Sequence, residues 1–223
     1  MVKSTYYSRQ RLPLPQPAAK QWLKKHEESC CLSEADRRGP FLAPTRLLLA
    51  ENETFTHSLN FTELKSLPGP SLIVFDLDFT LWDCGGTWCD CLSPPFRIDQ
   101  KRIVDRTQRH IRCYDDVEAI LDYCNQQAIP LALASRTEQP RWAKELLDLL
   151  AITHRFAFAE IYPSSKVRHF SALRKDSGVA YEKMLFFDDE MRNIREVGDL
   201  GVTAVHVANG MTMELFRAHV DRF

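Results

Sequence analysis

Asp76 and Asp78 stand one residue apart at the end of the apolar run Leu72-Ile73-Val74-Phe75, and Thr80 follows at the same spacing. Two carboxylates at the end of a buried strand must be ion-paired, metal-bound or chemically active, because an isolated buried charge costs too much. An Asx turn closing the strand is the plainer alternative, and this motif alone does not choose between the two. Other apolar runs end in the same way. Ser135-Arg136-Thr137 follows residues 129–134, Lys166 follows 156–162, and Asp188-Asp189-Glu190 follows 184–187. Carboxylates from two strands can hold a hard cation such as magnesium, which takes oxygen ligands and keeps several waters. A lysine and an arginine beside that cation would meet the negative charge that a transferring phosphoryl group spreads over its oxygens. In such a site Asp76 would attack phosphorus and form an aspartyl phosphate, while Asp78 would protonate the leaving oxygen and then activate water. Taken singly, Ser135 and Thr137 also fit helix caps, and Arg136 fits a surface ion pair worth ~0–1 kcal/mol. Lys166 fits less well, since a cation at a helix N-terminus is disfavoured by the helix dipole and so points to an anionic partner.

These residues can meet only if several strands deliver their carboxyl ends to one edge. The turn Pro68-Gly69-Pro70 precedes the first strand, and further strands are predicted over 129–134, 156–162, 184–187 and 202–207. Between them, helical spacing predicts helices over 115–124, opened by the capping acids Asp115 and Asp116, over 139–150 with Trp142, Leu146, Leu149 and Leu150 inward, and over 163–173. A last helix covers 211–220. Strands alternating with helices read as βαβ units. The predicted fold class is therefore α/β, a Rossmann-like parallel five-stranded sheet with helices on both faces, with ligands bound beyond the strand carboxyl ends. Eight glycines form neither a dinucleotide fingerprint nor a GxxxxGK phosphate loop, which argues against a P-loop nucleotide hydrolase.

The blocks that carry the chemistry also carry a resemblance. Asp76-x-Asp78-x-Thr80, Ser135, Lys166 and Asp188-Asp189 resemble the four motifs of the haloacid dehalogenase superfamily. Phe75 to Trp82, Pro94-Pro95-Phe96, Ala134 to Thr137, Ile161 to Lys166 with His169-Phe170, and Phe186 to Glu190 with Asn193 resemble its magnesium-dependent phosphatase-1 family. The resemblance spans about residues 72–212. It implies that Asp76 is nucleophile and metal ligand, and that Asp78 is acid/base and binds magnesium through its backbone carbonyl. Thr80 would brace the loop, Lys166 would bridge Asp76 and the phosphoryl oxygens, and Asp189 would be the second metal carboxylate. Asp76, Leu77, Asp78, Ser135, Arg136 and Lys166 make up the implied substrate-binding set. Asp188 takes a supporting place, because adjacent strand residues face opposite ways. The implied partners are a phosphoprotein, through phosphotyrosine, or a phosphorylated sugar such as a fructosamine 6-phosphate. The rival class is a catalytically weak binding or regulatory protein that retains the fold, and the intact acid set argues against it.

Residues 83–114 fall where this superfamily inserts a cap, and some thirty residues suffice only for a hairpin-like flap over an open site. The segment is cysteine-rich, with Cys84, Cys89, Cys91 and Cys113 near His110, but lacks the C-x2-C pairs of common zinc sites, so free thiols are expected. Exposed thiols there would let oxidation tune the flap.

The chain of 223 residues divides into an irregular N-terminal extension, 1–68, and a phosphatase-like domain, 69–223. The extension holds Pro13, Pro15, Pro17, Pro40 and Pro44, a basic arm over 1–26 and a helix candidate within 44–64. A net charge of −1 argues against nucleic-acid binding, and no apolar run approaches the roughly 18 residues that span a bilayer. Seven cysteines without a secretory signal indicate a reducing, cytoplasmic setting, with organelle targeting through residues 1–26 as the alternative. The sequons at Asn52 and Asn60 are then chance matches.

Overall fold

The structure is a computed structural model that describes residues 69–223. The basic arm, the 44–64 helix candidate and the sequons lie outside the described residues.

Strand β1, Leu72–Phe75, is buried along its whole length and lies at the centre of a five-stranded sheet. Four short strands follow it, β2 (Trp82–Asp83), β3 (Arg97–Asp99), β4 (Arg102–Val104) and β5 (His110–Cys113). Helix α1 (Val117–Gln126) leads into β6 (Leu131–Ser135), α2 (Pro140–Leu149) into β7 (Phe158–Ile161), and α3 (Lys166–Ser177) into β8 (Met184–Asp188). Helix α4 (Met191–Gly198), β9 (Thr203–His206) and α5 (Met213–Val220) complete the described chain. The large sheet runs β7-β6-β1-β8-β9 with every neighbouring pair parallel. Only βαβ crossovers permit this arrangement, and they bury both faces, which is why the strands read as continuous apolar runs.

Alternation along the strands sorts the core into two halves. Leu72, Val74, Ala132, Ala134, Met184 and Phe186 face α3 and α4, where Phe170, Leu173 and Val197 meet them. Ile73, Phe75, Leu133, Leu185 and Phe187 face α1, α2 and α5. This parity continues past the strand ends: Asp76 and Asp188 share the α3/α4 side with Val74 and Phe186.

The fold class expected from the sequence is the one observed, with differences in detail. Helix α4 was not anticipated, because its sequence MRNIREVG buries only Asn193 and Val197. On α2 the fully buried residues are Ala143, Leu146 and Leu147, with Trp142, Leu149 and Leu150 at the margin of the core. Asp116 does not cap its own helix; it accepts from the Met213 amide at 2.8 Å and ties α1 to the start of α5.

Residues beyond β1 form a tight turn in which the amides of Thr80, Leu81 and Trp82 all donate to the Leu77 carbonyl, at 3.3, 2.9 and 3.1 Å. Phe79 takes a left-handed φ of 54° to permit it. The turn launches the flap, a second sheet of order β2-β5-β4-β3, antiparallel throughout. From the opposite side the Met211 amide donates to the Thr80 carbonyl at 3.0 Å. Gly210 makes that approach possible: it has φ 78°, and a Cβ there would sit 2.4 Å from the Tyr114 ring.

Candidate active site

The sheet order brings the ends of β1, β6 and β8 side by side, and α3 begins directly over them. Lys166, the first residue of α3, is fully buried, so it is not a solvated surface lysine. Its Nζ donates to Asp76 Oδ1 at 2.6 Å, meets Asp188 Oδ2 at 2.8 Å, and also bonds the Ala134 carbonyl. A buried ammonium survives only when its protons are all matched, and here three acceptors match them.

Asp188 is held from its far side as well. Its carboxylate accepts from the Glu190 amide at 2.7 Å and from Asn193 Nδ2 at 2.9 and 3.0 Å. Asn193 Oδ1 in turn accepts from Arg136 at 3.1 Å, and Glu190 pairs with both Arg136 (3.5 Å) and Arg192 (2.8 Å). Asp188 is the last residue of β8 and Asp189 lies just beyond it. Oxygens of Asp76, Asp188 and Asp189 all lie within 4.8 Å of one another, so Asp188 belongs to the acid cluster as well as supporting Lys166.

Three carboxylates facing one ammonium leave an excess of negative charge, and the acids register it. Burial raises Asp76 well above the ordinary carboxylate range and the Asp188 charge adds to this, against the pull of Lys166. Burial lowers Lys166, but Asp76 and Asp188 outweigh it and keep the ammonium charged. Asp189, half-buried, is raised to about 6 by burial and by Asp188. Oxygen-only donors with surplus charge are what a hard divalent cation binds, so the residues present fit a magnesium ion.

Asp78 projects from the turn after β1 and is held differently. Its Oδ1 accepts from Trp82 Nε1 at 2.7 Å, the Cys89 amide at 3.0 Å and Cys84 Sγ at 3.6 Å. Burial raises its pKa, and those donors oppose the rise. Ser135 is buried at the end of β6, and its Oγ accepts from the Thr137 amide at 3.4 Å. Leu77 differs from the rest of the predicted set: its side chain is in the core, so any contact with substrate runs through its backbone.

Asp76, Asp78, Asp189 and Lys166 line a cleft of about 260 Å³. Its rim is made by Trp88 and Asp90 of the flap, Glu138, and the Arg136–Glu190–Arg192 group. Asp90 accepts from Thr137 Oγ1 and from the Glu138 amide at 3.2 Å, clasping the flap to the loop that carries Ser135 and Arg136. Trp88 is half exposed and packs edge-on against Phe79, with ring centroids 5.8 Å apart. Sequence reasoning gave Asp90, Trp82 and Trp88 no role and quoted Asn193 without one. Among the described residues the flap cysteines belong to no group of three or more side chains at metal-ligand spacing. Cys84 and Cys89 are buried, and burial pushes their thiols far above the usual range, so the exposure that redox tuning requires is missing at both.

Sheet order and acid–lysine geometry together define the class of the molecule, the haloacid dehalogenase-like hydrolases. The fold is shared with a hydrolase of that superfamily from Ehrlichia chaffeensis, with a TM-score of 0.50 at 14% identity over 70% of this chain and 98% of that one. Residues 68–223 match the family model described as Acid Phosphatase. Magnesium-dependent phosphatase 1 of Homo sapiens is 40% identical over 156 residues, which cover 69% of this chain and 87% of that protein. A HAD-like hydrolase superfamily protein of Schizosaccharomyces pombe is 37% identical, over 63% of this chain and 87% of that protein. The chain belongs to the acid phosphatase family of haloacid dehalogenase-like hydrolases. Among the described residues no helix is long and apolar enough to cross a membrane.

Proposed function

We propose that this protein is a magnesium-dependent phosphomonoester hydrolase that works through an aspartyl phosphate on Asp76. The observation that carries the reading is the buried Lys166 set between Asp76 and Asp188 (2.6 and 2.8 Å) at the floor of an open cleft. Asp76, Asp188 and Asp189, with the Asp78 carbonyl, would hold the metal. Magnesium held there would supply positive charge that offsets the surplus on the acids, favours the ionised form of Asp76 and screens the phosphoryl oxygens.

Ser135 and Lys166 receive the phosphoryl group, and Arg136, fixed by Asn193 and Glu190, anchors the substrate at the rim. Asp76 attacks phosphorus as the bond to the leaving oxygen breaks, and Asp78 delivers its proton to that oxygen. An alcohol or phenol departs. Asp78, now ionised, takes a proton from water as the water attacks phosphorus, which frees Asp76 and inorganic phosphate. The substrate is protein phosphotyrosine or a phosphorylated sugar. The exposed Trp88 face and the absence of a large cap among the described residues favour a flat leaving group carried on a bulky partner.

Phosphate release from p-nitrophenyl phosphate, a phosphotyrosyl peptide and a panel of sugar phosphates tests the reading. Turnover is expected with magnesium and not with chelator, and acid-quenched protein from a radiolabelled substrate should carry hydroxylamine-labile label. An inactive wild-type protein under every divalent metal, or turnover without that label, would overturn it.

A further inference from the structure

Three hydrogen-bond donors converge on a single oxygen of Asp78, and all three belong to the start of the flap. Trp82 Nε1 lies 2.7 Å from Oδ1, the Cys89 amide 3.0 Å and the Cys84 thiol 3.6 Å. Trp82, Cys84 and Cys89 are each fully buried, and Trp82 also forms a backbone bridge to Asp78. The Phe79 amide, donating to the Trp82 carbonyl at 3.0 Å, closes the same turn. Such an indole is oriented by packing on every side and cannot swing away.

An oxygen that accepts from an indole N–H, an amide N–H and a thiol has no room for a hydrogen of its own. A protonated carboxyl must then carry its hydrogen on the other oxygen, because the O–H oxygen is the donor of the pair. Asp78 lines the cleft, and the three donors all fall on Oδ1, which leaves Oδ2 as the oxygen to meet a substrate.

From this convergence we infer that Trp82, assisted by the flap thiol Cys84, is a positioning residue that turns the Asp78 proton on Oδ2 toward the leaving oxygen. The inference rests on the phosphatase reading above and adds which residues aim the acid. It also gives the buried thiol a use that needs neither metal nor oxidation: Cys84 acts as a weak donor in the reduced state. When Asp76 attacks, the proton moves from Oδ2 to the departing oxygen as the phosphorus–oxygen bond breaks. Water returns a proton to Oδ2 in the second half of the reaction, so the balance closes without another reactant.

A mispositioned acid harms some substrates and spares others. p-Nitrophenolate leaves without a proton, whereas the alkoxide of glycerol 2-phosphate does not, so the ratio of kcat/KM on the two reports the acid alone. Complete general-acid catalysis is worth about 10²–10⁴-fold, so Trp82→Phe should lose about 10-fold or more on glycerol 2-phosphate and under about 3-fold on p-nitrophenyl phosphate. Cys84→Ala should move the ratio in the same direction by about 2–3-fold, since a thiol is a weak donor. Cys84→Ser, which keeps a donor, should stay nearer the wild-type ratio than Cys84→Ala.

Equal losses on both substrates, or no change in either, would overturn the inference and leave Trp82 a packing residue. Should Trp82→Phe fail to fold, the order of the two Cys84 variants decides alone. Wild-type activity that Asp76→Asn abolishes secures the underlying reading, so an unchanged ratio in that setting defeats only the positioning claim. A wild-type protein without activity defeats both.

Discussion

Two regions of this molecule bury carboxylates to opposite effect. In the flap, Asp105 is wholly buried, and its oxygens accept from the amides of Ser93, Thr107 and Arg109 and from Thr107 Oγ1, at 2.8–2.9 Å. Burial raises its pKa, but these donors outweigh burial and hold it below the ordinary carboxylate range. At the carboxyl edge of the large sheet, Asp76 is also buried, yet burial and Asp188 prevail over Lys166 and its pKa is raised. The flap acid is satisfied by the chain around it and closes the turn between β4 and β5. The strand-end acids are left with surplus charge, a standing cost that stability alone does not explain. Strain of this kind, retained at one site in an otherwise consistent fold, marks where structure has been given up for chemistry.

The largest effects should separate the two regions by what fails. Asp76→Asn is expected to lower kcat by about 10⁴–10⁶-fold, the range seen when one member of a catalytic set that includes the nucleophile is removed. It should leave the melting temperature of the metal-free protein unchanged or higher, because one of two repelling buried charges disappears and Lys166 keeps Asp188 at 2.8 Å. Residual turnover within tenfold of wild type would remove Asp76 from its role. Lys166→Met tests the cation that both acids share. It leaves Asp76 and Asp188 facing each other unpaired, and breaking a buried pair in this way costs about 3–5 kcal/mol, to be read by denaturant unfolding without metal. A change under 1 kcal/mol would mean that the acids are not charged there.

Asp105→Ala should show the reverse of Asp76→Asn. It strands three part-buried amides and a hydroxyl, at up to about 1–3 kcal/mol for an unsatisfied group. Partial solvent access limits the total to about 2–4 kcal/mol by the same accounting. The destabilisation should be equal with and without magnesium, measured by thermal melting, since the flap acid takes no part in the acid cluster. A magnesium-dependent difference would dissolve the distinction between the regions.

The same contrast explains how much was legible in the sequence. Strands buried on both faces leave runs such as Leu72 to Phe75 and Met184 to Phe187, and such runs announce both the parallel sheet and the polar residues at their ends. Asp76, Asp78, Ser135, Lys166 and Asp189 were visible for that reason. The flap strands are two to four residues long, and β3 is exposed throughout, so no periodicity exists to detect. Asp105 and Asp90 owe their importance to amides brought near by the fold, which a side-chain pattern cannot show. Helix α4 escaped notice because its inward face is built partly from Asn193, whose worth lies in joining Arg136 to Asp188. Trp82 is fully buried, and the bond from its indole N–H to Asp78 forms only across the turn that Phe79 makes in the left-handed region, which no residue pattern announces.

The smallest effect is also the most direct test of charge. A carboxyl whose folded pKa is raised contributes stability that is present below the unfolded value of about 3.9 and lost as pH rises through the folded value. For Asp189 that loss runs from about pH 4 to beyond about 6, and Asp76 and Asp78 act in the same direction. Asp105, with its lowered value, stays ionised across this window and contributes no slope; its share disappears only in stronger acid. The metal-free protein should therefore melt lower at pH 7.5 than at pH 5. Magnesium needs its carboxylates deprotonated, so its stabilisation should grow over the same interval. At a saturating concentration near one hundred times Kd, binding is worth about 2.7 kcal/mol, or roughly 5–10 °C for a domain of this size, at pH 7.5 and less at pH 5. A magnesium shift that is the same at both pH values would show that the strand-end acids are already ionised without metal, and the opposition between the two regions would then have no electrostatic basis.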